Sequence, residues 1–153
     1  MNAMRAAPLT ETTLHAAVNE LAQRDADLAR IVARIGPPPM WAREPGFPTL
    51  VLLILEQQVS LASARAAFNR LEAALGAVTP AGVLLLSDDE LRGVGFSRQK
   101  SGYARDLATA IQCGEFDPDH LADLDDDGVR RALTARKGIG PWTAEIYLLM
   151  VLR

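Results

Sequence analysis

Residues 133–144 read Leu-Thr-Ala-Arg-Lys-Gly-Ile-Gly-Pro-Trp-Thr-Ala, and no other stretch has residue types and spacing so suited to chemistry. Gly138 and Gly140 lack a Cβ, so the backbone between them tolerates positive φ and lets a partner approach closely. Ile139 is an apolar plug for the gap between two helices, and Pro141 suits the first turn of the second. A helix that begins straight after such a reversal presents unpaired N–H groups at the positive end of its dipole. That makes a site for one phosphate. Lys137, Gly138, Ile139, Gly140 and Thr143 are therefore the candidate nucleic-acid contacts, made through the backbone and without reading sequence. The plain alternative is a helix–turn–helix corner whose glycines serve only packing.

Three weaker candidates can be weighed beside it. Asp123-Leu124-Asp125-Asp126-Asp127-Gly128 opens like a calcium loop, but its twelfth position is Thr134, where a bidentate glutamate is needed. Those acids make better sense at a helix N-terminus, where they cap amides and complement the dipole. The single cysteine, Cys113, excludes an internal disulfide and a thiolate cluster, and is expected half-buried on a helix. His15 and His120 have no neighbours that form a metal site or a triad.

Net charge is −3, which does not announce a nucleic-acid binder. The sign is uneven, however. Arg92, Arg98, Lys100 and Arg105 form one stretch free of acids, and Arg130, Arg131, Arg136 and Lys137 form another. Two basic stretches on an acidic body suit a protein that touches phosphate with one face, although solvated helix faces explain the charge equally well.

The elements that must position these residues are helical. Aromatics make up only 5% of the chain, no segment alternates as a half-buried strand does, and Ala and Leu cluster in runs, so the fold class is all-α. Residues 1–9 look frayed, and 10–153 form one helical domain with its hairpin unit at 126–152. Apolar periodicity runs from Thr10 to Ile35, closing at Gly36 before Pro37-Pro38-Pro39. Gly46-Phe47-Pro48 opens the next helix, and residues 50–58 are apolar nearly all round, as in a central buried helix. Further helices are expected at 60–75, after Thr79-Pro80, after the Ser87–Glu90 capping box, at 97–111, at 125–135 and from Pro141 onward. Gly93-Val94-Gly95 echoes Gly138-Ile139-Gly140, either as a degenerate copy or as a helix C-cap holding two glycines. No run reaches the roughly 18–20 apolar residues of a membrane span, and no signal-peptide pattern opens the chain. The expected location is the cytoplasm, associated with the nucleoid.

The 133–144 string resembles the helix–hairpin–helix of the DNA glycosylase superfamily, and its Gly-Pro-Trp-Thr-Ala form resembles the 3-methyladenine DNA glycosylase II (AlkA-type) branch. Three segments match that branch in order: Arg24-Asp25-Ala26-Asp27-Leu28 through Gly36-Pro37-Pro38, then Ile54-Leu55-Glu56-Gln57-Gln58-Val59-Ser60, then Gly95-Phe96-Ser97-Arg98-Gln99-Lys100. The resemblance implies a multi-helix glycosylase-type domain that binds double-stranded DNA, flips damaged bases and hydrolyses the N-glycosidic bond.

By the same resemblance Gln57 and Gln58 fall on the wedge segment that fills the vacated stack, unless they only cap or buttress a buried helix. Trp142 stands where lyase-type relatives carry lysine, which implies a monofunctional enzyme using water. Its indole face suits a cationic alkylated purine, with helix–helix packing as the alternative. Tyr147 is a weaker pocket candidate. The resemblance also implies a structural Na+ or K+ held by the backbone carbonyls of Thr134, Arg136 and Ile139, and no other cofactor. The family's catalytic aspartate is expected past Arg153, so these residues alone are expected to be inactive, without the C-terminal helices. Glu145 has no family precedent as catalyst, and Glu56, where a small residue is usual, either faces DNA or pairs with an arginine. The apolar stretch 146–151 is expected to stay exposed unless an oligomer or a further segment covers it. A non-catalytic DNA-binding module and a helical protein-interaction domain are the competing readings.

Overall fold

The computed structural model describes residues 9–153, and the frayed N-terminus expected at 1–9 lies, but for Leu9, outside that range. Among the described residues there are nine α-helices and no strand. They are α1 (Glu11–Arg24), α2 (Ala26–Ile35), α3 (Phe47–Glu56), α4 (Leu61–Leu75), α5 (Pro80–Leu85), α6 (Asp88–Gly93), α7 (Arg98–Gln112), α8 (Asp126–Thr134) and α9 (Pro141–Tyr147). A 3-10 turn (Asp119–Asp123) precedes α8, and α9 widens into a π turn (Leu148–Leu152) closed by Arg153 N–H donating to Leu148 C=O at 2.7 Å.

Helix α3 is the centre. Pro48 sits in its first turn, and seven of its residues, Phe47 and Leu50 to Leu55, are buried. It packs on α4 and α7, while α5 packs on α7 and α8 on α9. Truncating a fully buried α3 leucine such as Leu53 to alanine costs on the order of 2–5 kcal/mol. The surrounding helices begin where side chains supply the missing first-turn partners. Ser60 accepts from Ser63 N–H, Thr79 from Gly82 N–H, Ser97 from Lys100 N–H and Asp125 from Gly128 N–H. Ser87 and Glu90 form a reciprocal box at α6.

Three expectations need correction. The periodicity from Thr10 to Ile35 spans two helices, because Asp25 leaves helical geometry and caps α2 through Asp27 and Leu28 N–H. Cys113 is exposed, since α7 ends one residue before it. The 146–151 stretch is largely covered within the chain: Tyr147 and Val151 are buried, and only Leu149 is an exposed large apolar residue there. Cover comes from the connector after α2, where Arg43 N–H donates to Met150 C=O at 2.8 Å and Gly46 N–H to the Tyr147 hydroxyl at 3.3 Å. Apolar surface lies open elsewhere, in a groove of about 470 Å³ formed by α1, α2, the three prolines and Trp41. Of the two options for Gly93-Val94-Gly95, the structure takes the C-cap. Gly95 takes φ +108°, and the N–H groups of Gly95 and Phe96 donate back to Arg92 and Leu91 C=O, both at 3.0 Å.

Candidate nucleic-acid interface

The chain reverses between α8 and α9. Gly138 takes φ +81°, and Ile139 is buried as the plug between the helices. Across the reversal Arg130 binds Glu145, Nε to Oε1 at 2.6 Å and a terminal nitrogen to Oε2 at 3.2 Å. That contact holds the Glu145 carboxyl below its usual range and pushes the guanidinium up, so Glu145 serves as a staple between α8 and α9.

The amides decide whether this turn can hold an anion. Ile139 N–H turns inward and donates to Arg136 C=O at 3.2 Å. The N–H groups of Gly138, Gly140, Trp142 and Thr143 donate to nothing among the described residues, and α9 has no side-chain cap. These four amides therefore remain unpartnered around the start of a helix, and that of Ile139, one of the expected contacts, is not among them.

These amides edge a cleft of about 900 Å³. Its walls come from the end of α3 with Gln57, Gln58 and Val59, from the start of α7 with Ser97, Gln99, Lys100 and Tyr103, and from the hairpin with Gly138, Gly140, Trp142 and Thr143. Trp142 is 63% exposed, which removes helix–helix packing as its explanation. Gln58 is exposed and holds φ +57°, a left-handed backbone that a non-glycine residue adopts at a cost. Gln57 behaves differently: its Nε2 donates to Gly138 C=O at 2.7 Å, so it buttresses the hairpin. Thr143 lines the cleft but is only 4% exposed, so little of it reaches solvent.

Tyr147 is a correction. It is fully buried, its hydroxyl accepts from Gly46 N–H, and burial pushes its pKa up, so it belongs to the core and not to the cleft. The basic stretches are also corrected in part. Acids meet them all the same: Arg92 pairs with Asp89 on its own helix, Arg105 meets Asp88 of α6, and Lys137 Nζ lies 3.2 Å from Asp106 of α7. Arg136 is spread over the Phe116 ring with Glu115 3.9 Å away. What this face leaves unpaired is a set of backbone amides more than a set of basic side chains.

Residues 51–147 match the family described as HhH-GPD superfamily base excision DNA repair proteins. The chain belongs to that superfamily. It is 32% identical over 111 residues to an endonuclease III from Sulfolobus acidocaldarius, covering 70% of this chain and 48% of that protein. A DNA-3-methyladenine glycosidase from Bacillus halodurans superposes with a TM-score of 0.71 at 31% identity, over 88% of this chain and 63% of its own. A 3-methyladenine DNA glycosylase from Schizosaccharomyces pombe, solved with abasic DNA, superposes with a TM-score of 0.80 at 26% identity, over 90% of this chain and 70% of its own. The chain thus spans about half the length of the curated relative and just under two thirds of the Bacillus structure. No helix among the described residues is long and apolar enough to cross a membrane.

With the HhH-GPD fold in place, several residues without an assigned role in the sequence take positions in the site. Arg43 binds Glu56 with both terminal nitrogens at 2.9 and 3.0 Å, and the Glu56 side chain is only 7% exposed. Of the two options for Glu56, the structure takes the arginine. Lys100 Nζ donates to Leu55 C=O at 2.7 Å, closing the end of α3, and desolvation lowers its pKa. Tyr103 packs against Gly138, and its hydroxyl accepts from Gln99 Nε2 at 2.6 Å. A Gln-x-x-x-Tyr spacing on one helix face was the available signal for that pair. Arg43 carried no signal, because its partner is reached only by the fold of the connector. The carbonyls of Thr134 and Ile139 accept no hydrogen bond among the described residues, whereas that of Arg136 already takes one from Ile139.

Proposed function

We propose that this chain is the DNA-gripping and base-extruding part of a monofunctional DNA glycosylase that removes alkylated purines. The observation that carries the reading is the row of unpartnered amides at Gly138, Gly140, Trp142 and Thr143, set beside an exposed indole in one cleft. A backbone phosphate binds the amides, which positions the duplex without reading its bases. Gln58, held out at the cleft rim, enters the stack in place of the extruded nucleotide, and its amide can pair with the orphaned base. Trp142 receives the flipped base, whose positive charge an indole face attracts. With tryptophan where a lyase carries its amine, water is the nucleophile.

The free carbonyls of Thr134 and Ile139, with that of Arg136, are neutral oxygens suited to a monovalent cation. Such an ion would add positive charge facing the phosphate. Glu56 is the one carboxylate lining the cleft, and Arg43 neutralises it. Excision therefore requires a carboxylate supplied from outside residues 9–153, which stabilises the cationic sugar and activates water. The competing reading, which the family match does not favour, is a DNA-binding module without catalysis.

Two measurements separate these readings. The chain should bind a duplex carrying a tetrahydrofuran abasic site more tightly than the undamaged duplex, with affinity falling as salt rises. Equal affinity for both duplexes would remove the glycosylase reading and leave the module. Release of 3-methyladenine from methylated DNA, gained when an aspartate-bearing C-terminal segment of a relative is fused after Arg153, would remove the module.

A further inference from the structure

Gly138 is held from two sides. From the end of α3, Gln57 Nε2 donates to its carbonyl at 2.7 Å. From α7, the Tyr103 side chain lies so close that a Cβ on Gly138 would overlap its ring and come within 2.8 Å of its Cβ. Its hydroxyl also accepts from Gln99 Nε2 at 2.6 Å, an exposed contact on the same helix. Lys100 Nζ ties α7 to the end of α3 through Leu55 C=O at 2.7 Å. A flat ring against a bare Cα allows an approach that any other residue at 138 would prevent. Glycine at this position thus answers a steric demand as well as its φ of +81°.

We propose that Tyr103 is a positioning residue: its ring sets how far the hairpin stands over the cleft, and with Gln57 it fixes the amides of Gly138 to Thr143 relative to Gln58. Tyr103 touches neither base nor reacting atoms in this scheme. It acts through the hairpin, so the inference rests on the reading of those amides as a phosphate grip. Removing the ring leaves the Gly138 peptide held from the α3 side alone. The amides then lose their register with the wedge residue, and a displacement of about an ångström is enough to cost up to a hundredfold in a geometry-dependent step.

Four variants test this: Tyr103→Phe, Tyr103→Leu, Gly138→Ala and the Gly138→Ala/Tyr103→Leu pair. Two readouts are needed, the proton chemical shifts of residue 138 and the affinity for the tetrahydrofuran-site duplex. In the native protein the Gly138 Hα resonances should be displaced by the ring current, kept so by Phe, and returned to ordinary values by Leu. Affinity should stay within about twofold for Phe and fall roughly tenfold for Leu. Gly138→Ala should bind more weakly still, and adding Tyr103→Leu should recover part of that loss, since the steric component is relieved while the φ strain remains.

The proposal fails if the native Gly138 resonances show no ring-current displacement, a result independent of whether any variant folds. It fails equally if Tyr103→Leu binds as tightly as the native chain, or if the two losses in the paired variant simply multiply. A native chain with no preference for the abasic duplex would remove the function proposed above instead, and the chemical-shift arm would still decide whether the ring fixes the hairpin.

Discussion

The chain contains two Gly-X-Gly turns, each between a short helix and a longer run, and the fold uses them in opposite ways. At Gly93-Val94-Gly95 every amide is consumed: Val94, Gly95 and Phe96 N–H all donate back into α6, and Ser97 caps the helix that follows. At Gly138-Ile139-Gly140 a single amide is consumed, and the next helix starts uncapped on Gly140-Pro141. The left-handed residue differs too, being the second glycine in one turn and the first in the other. What separates them is the distance to the next helix start. Phe96 and Ser97 leave room for a closed cap with Leu91 and Phe96 buried together, whereas Pro141 forces α9 to begin at once. A shared Gly-X-Gly pattern therefore yields a finished corner in one place and a turn with unpartnered amides in the other.

The largest expected effect comes from a charge placed at the open turn. Gly140 has φ −91° and open space around its missing Cβ, so Gly140→Glu leaves the fold intact. It should reduce affinity for the abasic duplex roughly a hundredfold by setting a like charge at the proposed phosphate grip, with the melting curve unmoved. Retained binding would make the two turns equivalent. The reverse experiment is Gly95→Ala. A Cβ there meets the Arg70 guanidinium at 2.7 Å and Ala67 Cβ at 3.0 Å, at φ +108°. Chemical denaturation should show a loss of about 1–3 kcal/mol with DNA affinity unchanged.

Caps sharpen the contrast at smaller scale. Ser97→Ala should cost about 1 kcal/mol by uncapping α7, whereas Gly140→Ser should add a few tenths to α9 and weaken DNA binding a fewfold, as the hydroxyl competes for the amides. Stability and affinity moving together in the Ser variant would contradict the open-turn reading. The smallest effect is acidic. Ser87 backbone and side-chain hydrogen bonds hold the Glu90 carboxyl below its usual range. The unfolded chain protonates first, near pH 4.3, so the contribution of Glu90 is full above that value and disappears as pH falls through the lower folded pKa. Glu90→Gln should flatten the acid limb of the stability curve without altering binding at neutral pH.

Much of the helical framework was legible because starts and stops are written in local chemistry: Ser60, Thr79, Ser87 and Asp125 each cap the helix their position announces. Asp25 was not, since the apolar period continues across it while its side chain ends one helix and starts another. The hairpin was legible for the same local reason. The cleft around it was less so, because Gln57, Lys100 and Tyr103 act through contacts made across 81, 45 and 35 positions of chain, from Gln57 to Gly138, Lys100 to Leu55 and Tyr103 to Gly138. Tyr147 was misjudged because a polar ring tip satisfied by a distant backbone amide looks, in sequence, like one awaiting a ligand.

The exposure of Trp142 has a practical consequence. The chain has two tryptophans, both largely open to solvent, but Trp41 sits on the connector, lining a different hollow. Replacing Trp41 with phenylalanine would leave Trp142 as the single tryptophan, excitable apart from the tyrosines, and an aromatic guest stacked on it would quench its fluorescence. The molecule thus carries its own optical reporter of occupancy, usable without a dye, a label or a catalytic turnover.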